Sequence, residues 1–133
     1  MIDVENQIYT PIAAALREKF PGISVSGEYV KAPPKFPYVS IVEQDNYTTV
    51  SRLDSSDRER YATILYEVNV YSDKAGAKKS TCREILRCID EMLYRKNFTR
   101  ISMNPVPNME NATIYRLNAR YRAETDGETT FRR

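Results

Sequence analysis

A chain of 133 residues, 41% of them hydrophobic and 29% charged, has the size and make-up of one ordinary globular domain and is too short for two independent cores. Its 20 basic and 18 acidic side chains leave a net charge of only +2, which argues against a dedicated nucleic-acid binder. No apolar run approaches the roughly 20 residues of a membrane span, so no membrane partner is expected.

The first segment, Val4 to Phe20, spaces Ile8, Ile12, Ala15, Leu16 and Phe20 as one helical face, and Pro21-Gly22 stops it. Pro11 lies inside that pattern. Either the helix kinks there or, as expected, its regular part starts near Thr10 as N-cap with Pro11 in the first position. Ile23, Val25 and Tyr29 then predict a short strand that enters a proline-rich, extended loop over residues 31–37.

Tyr38 to Glu43 is a compact β-rich run, and Tyr61 to Tyr71 is the strongest strand in the sequence. In the latter, Ile64, Tyr66, Val68 and Val70 share one face, while Thr63, Leu65, Glu67, Asn69 and Tyr71 share a mixed one. Between these strands, residues 44–60 are too polar for core and predict a protruding loop or hairpin. A loop of that length in a compact domain tends to be functional or disordered.

After Ser72-Asp73 a second helix begins, its stripe formed by Ala75, Cys82, Ile85, Leu86, Ile89, Met92 and Leu93. Glu84, Arg87, Glu91 and Arg95 make a solvated ion-pair ladder on its other side, and Thr81-x-x-Glu84 has the spacing of a capping box. Two strands close the chain, Thr99 to Met103 and Ala112 to Glu124, joined by a loop over 104–108. In the second, Tyr115, Leu117, Ala119 and Tyr121 alternate with Arg116, Asn118, Arg120 and Arg122. The order predicts a single α+β domain over residues 1–133: a mostly antiparallel sheet of four or five strands with two helices on one face. Ten tyrosines, four phenylalanines and no tryptophan suit half-wet surfaces and interfaces.

Little in the sequence invites catalysis or a cofactor. There is no histidine, no glycine-rich phosphate loop and no nucleophile elbow, and glycine occurs four times in all. Cys82 and Cys88 stand six apart on a helix, about 120° around its axis, and read as core and stripe edge, with neither a disulfide nor a zinc site expected. Asn46, Asn97 and Asn111 head N-x-[ST] triplets and read as turn residues, because the acidic start Met1 to Asn6 lacks the layout of a secretory signal. The chain is thus expected to be made and folded in the cytosol. Asp54, Asp57 and Glu59 form the nearest thing to a metal-binding carboxylate group. Interleaved with Arg52, Arg58 and Arg60 on a loop, they read far better as solvated surface or protein contact.

Two sets of residues remain as interface candidates: Arg52, Asp54, Asp57 and Arg58 on the loop, and Arg116, Arg120 and Arg122 on the last long strand. The arginine row reads chiefly as an exposed face with acidic cross-strand partners. A protein contact, or DNA gripped through its phosphates, is the alternative.

The layout and several phrases resemble the tail terminator (tail completion) proteins of long-tailed, lambda-like bacteriophages. The phrases are Ile8-Tyr9-Thr10-Pro11-Ile12 with Leu16, Phe36-Pro37-Tyr38-Val39-Ser40-Ile41, Tyr66-Glu67-Val68-Asn69-Val70-Tyr71-Ser72, the helix Arg83 to Tyr94, and Tyr115 to Tyr121. The resemblance implies a virion structural protein made in the host cytoplasm. Its copies form a ring, a hexamer in that family, that caps the tail tube, ends its growth and meets the head–tail connector proteins, with DNA only as the passing genome. It implies no catalytic residues. A neck or connector protein, or another minor tail protein, is the neighbouring reading, and a DNA-binding module the more distant one. In such a ring the arginine row would meet acidic partners on an adjacent subunit, with Glu110, Glu124, Asp126 and Glu128 as candidates.

Overall fold

The computed structural model describes residues 3–29, 33, 35–48, 62–107, 113–125 and 131–132. Along them run α1 (Glu5–Lys19), β1 (Ser24–Ser26), β2 (Tyr38–Thr48), β3 (Ala62–Ser72), α2 (Lys78–Arg95), β4 (Thr99–Val106), β5 (Tyr115–Thr125) and β6 (Phe131–Arg132). The strands form one sheet in the order β1-β2-β3-β5-β4, in which β1 runs parallel to β2 and the other neighbours are antiparallel. β3 occupies one edge of Glu124 and Thr125, so the two-residue β6 pairs along their other edge, in line with β4. This is the expected α+β architecture with a mostly antiparallel sheet.

Both helices cover the same sheet face. Ile8, Ile12 and Leu16 of α1 and Cys82, Ile85, Leu86, Ile89 and Leu93 of α2 join one core with Val39, Ile41, the even positions of β3 from Ala62 to Val70, and the odd positions of β5 from Leu117 to Ala123. Each fully buried Ile or Leu there contributes roughly 1.5–3 kcal/mol. No helix among the described residues is long and apolar enough to cross a membrane.

Several boundaries depart from the sequence reading, each for a physical reason. α1 does not start at Thr10 but runs from Glu5 through Pro11. Val4 and Ile8 are buried, and sealing that first turn against the sheet outweighs the one backbone bond that Pro11 cannot donate. α2 starts at Lys78, not at the Thr81 capping box, since the Thr81 amide already donates to the Ala77 carbonyl at 2.9 Å. β2 continues to Thr48 by pairing with β3 across a bulge between Glu43 and Asp45, so Asn46 is a strand residue and not a turn. β4 continues through Pro105, which an edge strand tolerates because one of its sides has no ladder to lose. The Phe36–Pro37 peptide of the entering loop is cis.

The turns follow local chemistry. Ile23 N–H donates to the Phe20 carbonyl at 3.1 Å across Pro21-Gly22, with Gly22 at φ +86°, the geometry of a type II turn. α2 ends in a Schellman motif. Asn97, at φ +66°, donates to Tyr94, and Phe98 donates to Leu93, both at 2.9 Å, while the Phe98 ring is buried. Asn97 is therefore a turn residue, as expected.

Candidate functional site on the open sheet face

Strand alternation sends the odd positions of β3 and the even positions of β5 to the face away from the helices. β3 is largely buried on both sides: Thr63, Glu67, Asn69 and Tyr71 on the open face are buried like the core positions between them, and Leu65 is half-buried. The register places Glu67 opposite Arg120, Asn69 opposite Asn118 and Tyr71 opposite Arg116.

These pairs form a connected polar network. The Asn69 amide nitrogen donates to Glu67 Oε1 at 3.2 Å, and Gln44 donates to Glu67 Oε2 at 3.1 Å. Asn69 Oδ1 accepts from Arg116 Nε and from Asn118 Nδ2, each at 2.9 Å. Arg120 Nε lies 3.6 Å from Glu67 Oε2 and Arg122 3.6 Å from Glu124 Oε1. The Arg116 guanidinium stacks over the Tyr71 ring at 5.5 Å, and Tyr71 meets Tyr38 edge-on at 6.2 Å. Desolvation raises the Tyr71 phenol above its ordinary pKa against the pull of Arg116. The Tyr29 phenol is raised by desolvation and by the adjacent Glu67 carboxylate, with Arg120 and Arg116 opposing, which places Tyr29 above the same network.

The arrangement holds side chains in place and is poorly suited to proton transfer. Both oxygens of Glu67 are engaged by donors, so the carboxylate is not a free base. Its own side chain is 8% exposed, whereas Arg120 is 52% and Arg122 43% exposed. The arginine groups thus face outward from a rigid strand while their orientation is set from below, a geometry matched to carboxylates and carbonyls of another surface.

Of the sequence-predicted residues, Arg116, Arg120 and Arg122 are brought together on one face, with acidic and amide partners across and along the strands. Glu124 serves Arg122 within the same chain, where an adjacent subunit had been expected to supply it. Glu110, Asp126 and Glu128, and the loop residues Arg52, Asp54, Asp57, Arg58 and Glu59, lie outside the described residues. Glu67 and Asn69 carry the network, although alternation alone marks them only as members of a mixed face. The available signal was that both fall in the strongest strand of the chain, where a central position leaves a polar group no route to water.

Two other polar pairs lie on the helix side. Tyr121 donates to Asp90 Oδ1 at 2.8 Å, and Arg100 reaches the same oxygen at 3.3 Å. Glu43 stands opposite Tyr66, and its buried Oε1 and the Tyr66 hydroxyl have no hydrogen-bond partner among the described residues. The Cys82 thiol is pushed up to about 12 by burial and is unreactive there. No group of three or more acidic or cysteine side chains among the described residues is placed to hold a metal ion. Compared with known proteins, the chain matches no protein-family model and no curated protein.

Proposed function

We propose that this chain is an assembly protein that docks on other proteins through the open face of its sheet. One observation carries the reading. Arg116, Arg120 and Arg122 span about 20 Å of one strand at roughly 3.4 Å per residue, Arg116 is hydrogen-bonded to Asn69 while Arg120 and Arg122 lie beside Glu67 and Glu124 at ion-pair distance, and the groups of Arg120 and Arg122 remain exposed. Side chains already ordered in this way surrender less rotamer freedom on docking than free surface arginines.

Within that class, the resemblance to lambda-like tail terminators narrows the role. Copies of the chain form a ring, hexameric as in that family, which caps the tail tube, stops its elongation and presents the surface met by head–tail connector proteins in the virion. The order of two helices and five main strands along the chain agrees with that resemblance. Partial neutralisation of Arg120 and Arg122 by Glu67 and Glu124 also suits a conduit through which a genome slides, because each firm phosphate contact adds salt-dependent affinity.

The test is tube length. Tail tube protein assembled alone should give variable or overlong tubes, and adding this chain should halt growth. A double Arg120→Gln, Arg122→Gln variant should lose capping while its thermal midpoint stays close to that of the parent. Neutral glutamine is the right probe, since Arg120→Glu would set a second carboxylate against buried Glu67 and disturb the fold itself. An unchanged length distribution at saturating protein, or salt-sensitive retention of the parent protein on a DNA column at physiological ionic strength, would refute the reading.

A further inference from the structure

A second surface, separate from the arginine face, lies where α2 borders the edge strand β4. A groove there is lined by Arg83, Leu86, Arg87, Asp90, Arg100 and Met103, and Arg83 also lines an adjoining hollow with Lys78 and Lys79 at the start of the helix. Lys79, Arg83 and Arg87 stand four residues apart, so they form one row along the border of the buried stripe. Glu91 continues this row one turn beyond Arg87 and pairs with Arg95, and Glu84 lies three positions before Arg87 on the neighbouring exposed face. Arg87 lines this groove and forms no ion pair with Glu84 or Glu91 among the described residues, so of the expected ladder the Glu91–Arg95 rung is the one formed.

Among the described residues, the lining of the two hollows gathers five cationic side chains and a single carboxylate in a chain whose net charge is only +2. That carboxylate, Asp90, is already engaged by Tyr121 and Arg100. Lys79, Arg83 and Arg87 are exposed and have no ion-pair partner among the described residues. The floor is apolar, with Leu86 buried and Met103 half-buried, and Ile101 stands 55% exposed on the neighbouring edge.

We infer that this groove binds an extended acidic segment of a partner protein, with carboxylates on the row Lys79, Arg83, Arg87 and apolar side chains against Leu86, Met103 and Ile101. Charge complementarity selects the acid, and the apolar floor selects a polypeptide over a nucleic acid, whose phosphates have no use for Leu86 or Met103. Side chains do the holding. β4 carries a bulge between Arg100 and Ser102, and Pro105 has no amide to offer its free edge, devices that discourage a full added strand.

The experiment is fluorescence anisotropy of a labelled peptide of about twelve residues alternating Glu and Val, at about 50 and 300 mM salt to expose the ionic component. Saturable binding is expected, weakened by salt and by roughly tenfold in an Arg83→Glu, Arg87→Glu variant. The milder Arg83→Gln, Arg87→Gln pair should show a smaller loss of the same kind, with folding of both variants checked by circular dichroism. No saturable binding, equal binding of a Lys–Val peptide, or insensitivity to both variants would overturn the inference. So would a single-stranded oligonucleotide that bound more tightly than the peptide. Tube capping reads the other face, so either proposal can fail while the other stands.

Discussion

Replacing Asn69 with alanine should unfasten the open face from the middle. Asn69 is fully buried and makes three side-chain hydrogen bonds, to Glu67, Arg116 and Asn118. Without it Arg116 can turn its guanidinium toward water, which costs about 0.5–1.5 kcal/mol, the net value of one hydrogen bond. The half-buried Asn118 amide has less freedom, and a stranded donor costs about 1–3 kcal/mol. Glu67 keeps Gln44 and Arg120. With the small void added, the loss is about 2–4 kcal/mol, within the range of a broken buried network. In urea at a slope of about 2 kcal/mol per molar, the midpoint should fall by about 1–2 M with the slope unchanged. Ser40 is the internal control. It sits in register with Asn69, and its buried hydroxyl has no partner among the described residues. Ser40→Ala should therefore be neutral or stabilising by up to about 1 kcal/mol. An Asn69→Ala loss below about 0.5 kcal/mol, or an equal loss from Ser40→Ala, would show that the network does not hold this face together.

Two further expectations concern the helix side. Burial, followed by the nearby Asp3 and Glu5, raises the Glu43 carboxyl above its ordinary value of 4.5, and a hydrogen bond from Asn46 only partly offsets this. The folded chain then holds that proton more firmly than the unfolded one, so this contribution is complete below pH 4.5 and is lost as pH rises through the raised value. Glu43→Gln should flatten stability over that window and raise the melting temperature at neutral pH by about 2–4 °C, read as the difference between parent and variant melts. Tyr121→Phe keeps the buried ring and deletes its bond to Asp90, so a loss of about 1–2 kcal/mol in chemical denaturation is expected with no change of fold.

Local periodicity was enough for much of this protein. The alternation from Ile64 to Val70, the stripe from Cys82 to Leu93 and the arginines between Tyr115 and Tyr121 each point the same way in the sequence and in the fold, because a pleated strand or a helix fixes which side chains share a face. Asn97 and the Pro21-Gly22 pair likewise carry their backbone geometry in their own chemistry. What periodicity leaves open is the neighbour. That β5 inserts between β3 and β4, so that Glu67 meets Arg120 and Asn69 meets Arg116 and Asn118, depends on pairing between strands some fifty positions apart. The same holds for the continuation of α1 through Pro11 and of β2 to Thr48, where burial of Val4 and Ile8 and a ladder with β3 override weaker local preferences. It holds too for Arg87, which local spacing assigned to a ladder with Glu84 and Glu91 and which β4 turns into the wall of a groove. Sequence settles the face on which a side chain stands; only tertiary packing decides what it meets there, since contact energies are spent between segments that the chain brings together last.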